Sequence, residues 1–194
     1  MIPLTGEQIL IQAETWTEGD DIDDITGKSL INECLQMDLG KKAMVIDSQV
    51  VTISEANTWT AITNNILEIL WIEKSDQSYP YYGRRYGQEF DGVFEYRQGY
   101  IMFPVTGTFT LWHLRMPNPI ANLTETPEVH SALHYPIAMY VAARWKYWDD
   151  EENPEYVKLL AQYQAYVGKI LDEIRPLLMP TTRKARRVRS GGYY

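Results

Sequence analysis

The spacing of apolar residues changes period twice along this chain, and that double change constrains the fold more than any single motif. Up to about Met37 apolar residues recur at three- and four-residue steps. From about Met44 to Trp112 they fall into short β-branched or aromatic runs, and beyond Pro119 the helical step returns. A chain ordered this way is α+β and mainly α, with its strands confined to one central segment. Four regions follow: N-terminal helices over 1–43, an antiparallel β insert over 44–122, a C-terminal antiparallel helix pair over 123–178, and an extended basic arm over 179–194. The helices at the two ends are expected to join as one bundle around which the insert is an excursion.

Local signals fill in the helical ends. Thr5 and Gln8 have the spacing of a capping box, and Ile9, Leu10, Ala13 and Trp16 follow on one face. Gly19-Asp20-Asp21-Ile22-Asp23-Asp24 interrupts the pattern, and Thr26 is expected to cap a second helix carrying Leu30, Ile31, Cys34, Leu35 and Leu39 as its apolar stripe, with Gly40 as its stop. Thr126-Pro127-Glu128 and Asn153-Pro154-Glu155 both read as cap, first-position proline and N-terminal acid. The first of these helices would carry Val129, Leu133, Ile137, Tyr140, Val141 and Trp145, with a kink or break at Pro136. The second would carry Tyr156, Leu159, Leu160, Tyr163, Val167, Ile170, Leu171 and Ile174, ending at Arg175 before Pro176. Between the two ends, Val45-Ile46, Val50 to Ile53 and Ile66 to Ile72 predict strands. Phe90 to Phe94 and Tyr100 to Phe103 are expected to flank a hairpin with Gly99 in its turn, and Thr108 to Trp112 is a further strand.

Composition narrows the function. The chain has 194 residues with a net charge of −8, 45% hydrophobic and 23% charged, which suits a folded domain. Five cations (Arg183, Lys184, Arg186, Arg187, Arg189) crowd the stretch Thr181–Tyr194 without one acid, so the rest of the chain stands at −13. A body this acidic repels nucleic acid over most of its surface, and only the arm is suited to phosphate. One cysteine forms no internal disulfide, which points to a reducing compartment. No apolar run reaches the roughly 18 residues of a membrane helix, and Met1-Ile2-Pro3-Leu4 lacks the basic start of a signal peptide, so neither secretion nor membrane insertion is expected.

Residue types that carry chemistry are sparse. His130 and His134 share an i, i+4 spacing, but Ser131 stands where a zinc protease has glutamate and no third ligand is at hand, so packing accounts for the pair. Asp20, Asp21, Asp23 and Asp24 fail the calcium-loop spacing, since Thr26 and Asn32 occupy the positions that need glycine and glutamate. They read as a solvated acidic loop, suited to lining a channel through which an anionic polymer slides. Cys34 lies on an apolar stripe, and no nucleophile elbow, phosphate-cradling glycine loop or paired catalytic carboxylates occur. The chain is therefore read as a non-enzyme without cofactor or metal. Tyr79, Tyr81, Tyr82, Arg84, Arg85 and Tyr86 form an aromatic and arginine loop of the kind enriched at protein interfaces, though such residues also stack on bases or sugars.

Three stretches carry a family likeness: Ser29-Leu30-Ile31-Asn32-Glu33-Cys34 with its Ile-Asn pair, the hairpin Tyr96 to Pro104 followed by Phe109 to His113 and Met116-Pro117, and the helix pair from Pro127 to Ile170. In this order they resemble the head-to-tail adaptor proteins of tailed bacteriophages, also called connector or head completion proteins. The resemblance implies a closed ring of about twelve identical subunits beneath the portal protein of a virion, assembled in the host cytoplasm, with tail or neck proteins below and DNA passing through without sequence-specific binding. It also implies a C-terminal arm that docks on the portal, for which Arg183, Lys184, Arg186, Arg187, Arg189, Tyr193 and Tyr194 are the matching residues. Two other classes fit less of the chain. One is a carbohydrate- or ligand-binding module using Trp59, Trp71, Trp112 and the Tyr79–Tyr86 loop, which needs exposed tryptophans; the other is a DNA binder acting through the arm alone.

Overall fold

The computed structural model describes residues 2–40, 42–62, 66–74, 80–81, 94–97, 99–149 and 154–178. They form a mixed α and β protein whose sheets are antiparallel throughout. The chain divides into two compact units. A helical unit combines Met1–Ile31, Asn122–Thr126 and the chain from His130 onward, and a strand unit combines Asn32–Ala121 with Pro127–Val129.

In the helical unit, α1 (Gly6–Glu14) starts with both bonds of the predicted capping box: the Gln8 N–H donates to Thr5 Oγ1 at 3.3 Å and the Thr5 N–H to Gln8 Oε1 at 3.0 Å. Two more first-turn donors, which a helix cannot satisfy by itself, are met by the backbone of the 122–126 segment, Gly6 N–H to Glu125 O and Glu7 N–H to Leu123 O, each 2.9 Å. A Cβ on Gly6 would stand 2.9 Å from that Leu123 oxygen, so only glycine allows the approach. Trp16, read as part of the helical face, lies in the turn beyond the end of α1. The second helix, α2 (Asp24–Glu33), is capped by Asp23 rather than Thr26. Asp23 Oδ1 accepts the N–H groups of Ile25 and Thr26, and Thr26 is already helical.

Helices α3 (His134–Asp149) and α4 (Pro154–Leu178) pack along each other. Tyr135 meets Tyr166, Tyr140 meets Tyr163 and Tyr147 meets Tyr156, so numbers rise on one helix as they fall on the other and the two run in opposite directions. Of the stripe that the spacing predicts on α4, Leu159, Tyr163, Val167, Leu171 and Ile174 are buried, while Tyr156, Leu160 and Ile170 are half-buried at its margins. By contrast α3, against which α1 also packs, buries every residue from Ile137 to Ala143, the mark of a central helix rather than a one-sided one.

Three sequence expectations fail here. Thr126-Pro127-Glu128 starts no helix; a 3₁₀ turn over Ser131–Leu133 precedes α3, and Glu128 serves the strand unit instead. Pro136 therefore falls in the first turn of α3, where its missing N–H is not needed, and the helix continues through it without a break. The other misjudged end is that of α4, which continues past Pro176 to Leu178; a proline in the final turn removes one hydrogen bond without ending the helix.

The strand unit opens with Asn32 and Glu33 and a π-helical turn over Cys34–Asp38, closed by the Leu39 N–H on Cys34 O. Cys34, Leu35 and Leu39 are buried, as their stripe predicts. The strands that follow are β1 (Val45–Ile53), β2 (Thr60–Ala61), β3 (Glu68–Lys74), β4 (Pro80–Tyr81), β5 (Glu95–Arg97), β6 (Tyr100–Met102) and β7 (Gly107–Arg115). One sheet has the order β1-β7-β3-β4 and the other β2-β6-β5. The two runs Val45-Ile46 and Val50 to Ile53 are a single nine-residue strand, paired with β7 without a break. The predicted hairpin is present, with Arg97 opposite Tyr100 and Gly99 at φ +83°. Its first strand lies at 95–97, and Phe90 to Val93 fall outside the described residues. Val51, Ile53, Ile62, Ile72, Ile101, Phe103, Phe109 and Leu111 make the core, in which the Phe103 and Phe109 rings stack at 3.8 Å. Among the described residues no helix is long and apolar enough to cross a membrane.

Candidate interaction surfaces

The acidic turn between α1 and α2 is built by backbone strain and one buried hydroxyl. Glu18 (φ +64°) and Gly19 (φ +87°) reverse the chain, and the buried Thr17 hydroxyl lies within reach of Glu14 O and Asp20 O at 3.2 and 3.3 Å. Ile22 is buried behind the turn, its N–H donating to Glu14 Oε1. This leaves Asp20, Asp21, Asp23 and Asp24 exposed, but not equivalent. The backbone N–H of Thr26, its hydroxyl and the N–H of Ile25 hold the Asp23 carboxyl below the usual range, so this residue is spent on starting a helix.

A cation that sequence reasoning passed over stands beside the turn. Lys146, in the last turn of α3 and only 8% exposed, donates to Glu155 Oε2 at 2.8 Å. Its pKa is raised chiefly by that bond and further by Glu18 and Asp20. The contact spans the α3–α4 junction, so no local spacing reveals it. The exposed carboxylates of this turn can repel anionic polymers and attract basic ones.

The strand unit has its own charged node, also unread from sequence. Arg115, at the end of β7, bonds Asp47 of β1 through Nε at 2.6 Å and grips Glu128 with both terminal nitrogens, at 2.7 and 3.2 Å. Glu128 also accepts the Asn118 N–H at 2.9 Å. Glu128 first, then Asp47, raises the Arg115 pKa, and Arg115 holds both carboxyls below their usual range. All three charged side chains are engaged with one another within the strand unit, which ties β1, β7 and Glu128 together.

The packing reading of the histidine pair holds for His134 but not for His130, which is exposed and precedes α3, so the two share no helix face. His134 is buried and its Nδ1 accepts the Leu4 N–H at 2.8 Å, His130 caps the 3₁₀ turn through the Ala132 N–H, and His113 is buried near Leu111 O. No group of three or more His, Cys, Asp or Glu among the described residues is arranged to hold a metal ion. Of the tryptophans proposed for a ligand site, Trp59 is 41% exposed whereas Trp112 is half-buried, with its indole nitrogen out of solvent.

In the aromatic and arginine loop only Tyr81 is described, as a β4 residue opposite Ile72 of β3. Tyr79, Tyr82, Arg84, Arg85 and Tyr86 lie outside the described residues, as do Arg183, Lys184, Arg186, Arg187, Arg189, Tyr193 and Tyr194 of the arm. A surface missed by the sequence reading runs across the helical unit: Tyr135 meets Trp16 and Tyr166 edge to face, and both tyrosines are exposed. No protein-family model matches the chain, and no curated protein matches it either.

Proposed function

We propose that this protein is a non-catalytic structural connector, a head-to-tail adaptor of a tailed bacteriophage that joins a portal protein to tail or neck components. The observation that carries the reading is the order of parts: helices from both ends of the sequence belong to one unit, and an antiparallel strand unit is inserted between them. That order supports a bundle formed from the N- and C-terminal helices, with the strands as a separate platform. In this reading identical subunits close into a ring through which DNA passes. The acidic turn at Asp20, Asp21 and Asp24 repels the phosphate backbone so that DNA slides. The basic arm from Thr181 to Tyr194 docks on the portal, and its repetition around the ring turns modest single-arm affinity into lasting attachment.

The test is a tagged pull-down from producing cells, with the eluate imaged by electron microscopy. Rings seated on a larger portal-like assembly, lost when residues 181–194 are deleted, are the expected result. Recovery of the protein without rings, from both the full-length and the shortened chain, overturns it.

A further inference from the structure

We propose that strand β1 is a self-association edge, and that a second copy of this chain adds its own β1 antiparallel across a two-fold axis at Val50. The strand is nine residues long, against about five or six for an average strand, and pairs with β7 on one side only; among the described residues no strand lies on the other. The Ser48 N–H is taken by its neighbour Asp47 at 2.7 Å rather than by β7. By the alternation of an antiparallel ladder, Ile46, Ser48, Val50 and Thr52 thus turn their backbone groups outward. An outer strand of this kind is ordinarily blunted by proline, lysine or a bulge, and β1 has none of them: its register with β7 runs unbroken from Val45 to Ile53.

What selects a second copy as the occupant is the palindromic side-chain row. Ser48, Val50 and Thr52 are all exposed, Val50 at 64%. Antiparallel pairing about Val50 sets valine against valine on the axis and a serine hydroxyl against a threonine hydroxyl on either side, both favourable cross-strand pairs. Charge agrees. Asp47 is the one charged residue in the strand and is already held by Arg115. In this register Asp47 meets Ile53, and the two copies of Asp47 stand about 20 Å apart along the ribbon, beyond the screening length at physiological salt. An acidic protein can thereby approach itself at this strand without meeting like charge. The pairing exchanges about six main-chain hydrogen bonds, and Ser48 trades the Asp47 carboxylate for a carbonyl of the partner. The proposal does not depend on the connector reading.

Sedimentation velocity over a concentration series tests it on the full chain, wild type beside Val50→Lys and Val50→Pro. Neither change touches the β7 ladder: lysine places two like charges on the axis, and proline deletes an outward N–H. Far-UV circular dichroism identifies a misfolded variant, in which case the other decides. The expected result is a doubling of mass for wild type and monomer for the variants, with Val50→Cys forming a disulfide-linked dimer under mild oxidation. A wild type that stays monomeric at every concentration overturns the proposal, as does any assembly, dimer or ring, that Val50→Lys forms as readily.

Discussion

In the helical unit the contacts that bring distant segments together are mostly apolar or aromatic, such as Tyr140 on Tyr163 and the α4 stripe beneath them. The strand unit adds polar fastenings to its phenylalanine stack: Arg115 ties β1 to Glu128, and Asn32 exchanges two hydrogen bonds with the backbone of Ile120, at 3.0 and 2.8 Å. The difference follows from geometry. Long helices satisfy their own backbones and need only a stripe to pack, whereas short strands joined by loops leave carbonyls and N–H groups that side chains must meet. The helical unit is thus held by area plus hydrogen bonds at the start of α1 and the Lys146–Glu155 pair, and the strand unit by area plus side-chain fastenings between its segments.

Substitutions sharpen that contrast. The largest expected effect is at the stack: Phe103→Ala removes a fully buried ring and should cost about 3–5 kcal/mol, read as an early loss of the strand unit in urea unfolding followed by near-UV circular dichroism. Next is Arg115→Met, which leaves Asp47 and Glu128 unpaired. Because both carboxylates are partly exposed, the loss should be about 1–3 kcal/mol, below that of a deeply buried pair. Asn32→Ala should cost about 1–2 kcal/mol by leaving the Ile120 backbone unsatisfied. The smallest is Thr5→Ala in the helical unit, about 1 kcal/mol for the lost cap, detected as reduced helicity and faster amide exchange in α1.

Acid distinguishes the node from the stack. The folded-state pKa values of Asp47 and Glu128 lie below their ordinary 3.8 and 4.5. Their contribution is therefore complete above those ordinary values and is lost as pH falls through the lower folded ones. Melting temperature should fall below about pH 4.5, and less steeply in Arg115→Met, whose carboxyls no longer have the partner that depresses them. A pH profile identical to wild type would show that the node does not couple to folding.

How much of this was legible in the sequence depends on how far each residue reaches. The Thr5–Gln8 box, the stripe of α4, the buried Cys34 and Leu35, and Gly99 in its turn are local patterns, and each appears where its spacing puts it. Glu128 was misread because Thr-Pro-Glu is also the signature of a helix start, and the arginine that claims it lies 13 residues upstream. Asp23 displaced Thr26 as a cap because either side chain fits the local pattern, and only the geometry of the turn decides. For the candidate surfaces, the acidic turn was visible as composition. The cation at its border and the row of Trp16, Tyr135 and Tyr166 were not, since each joins segments far apart in sequence.

The discontinuous helical unit also sets an order of events during synthesis. On a ribosome the last segment of the strand unit, Pro127–Val129, emerges before α3, the helix on which α1 packs and buries Ile9 and Leu10. The emerging chain thus carries the strand unit between an earlier helical segment and its later partner, and α1 is secured only after the strands that follow it in sequence.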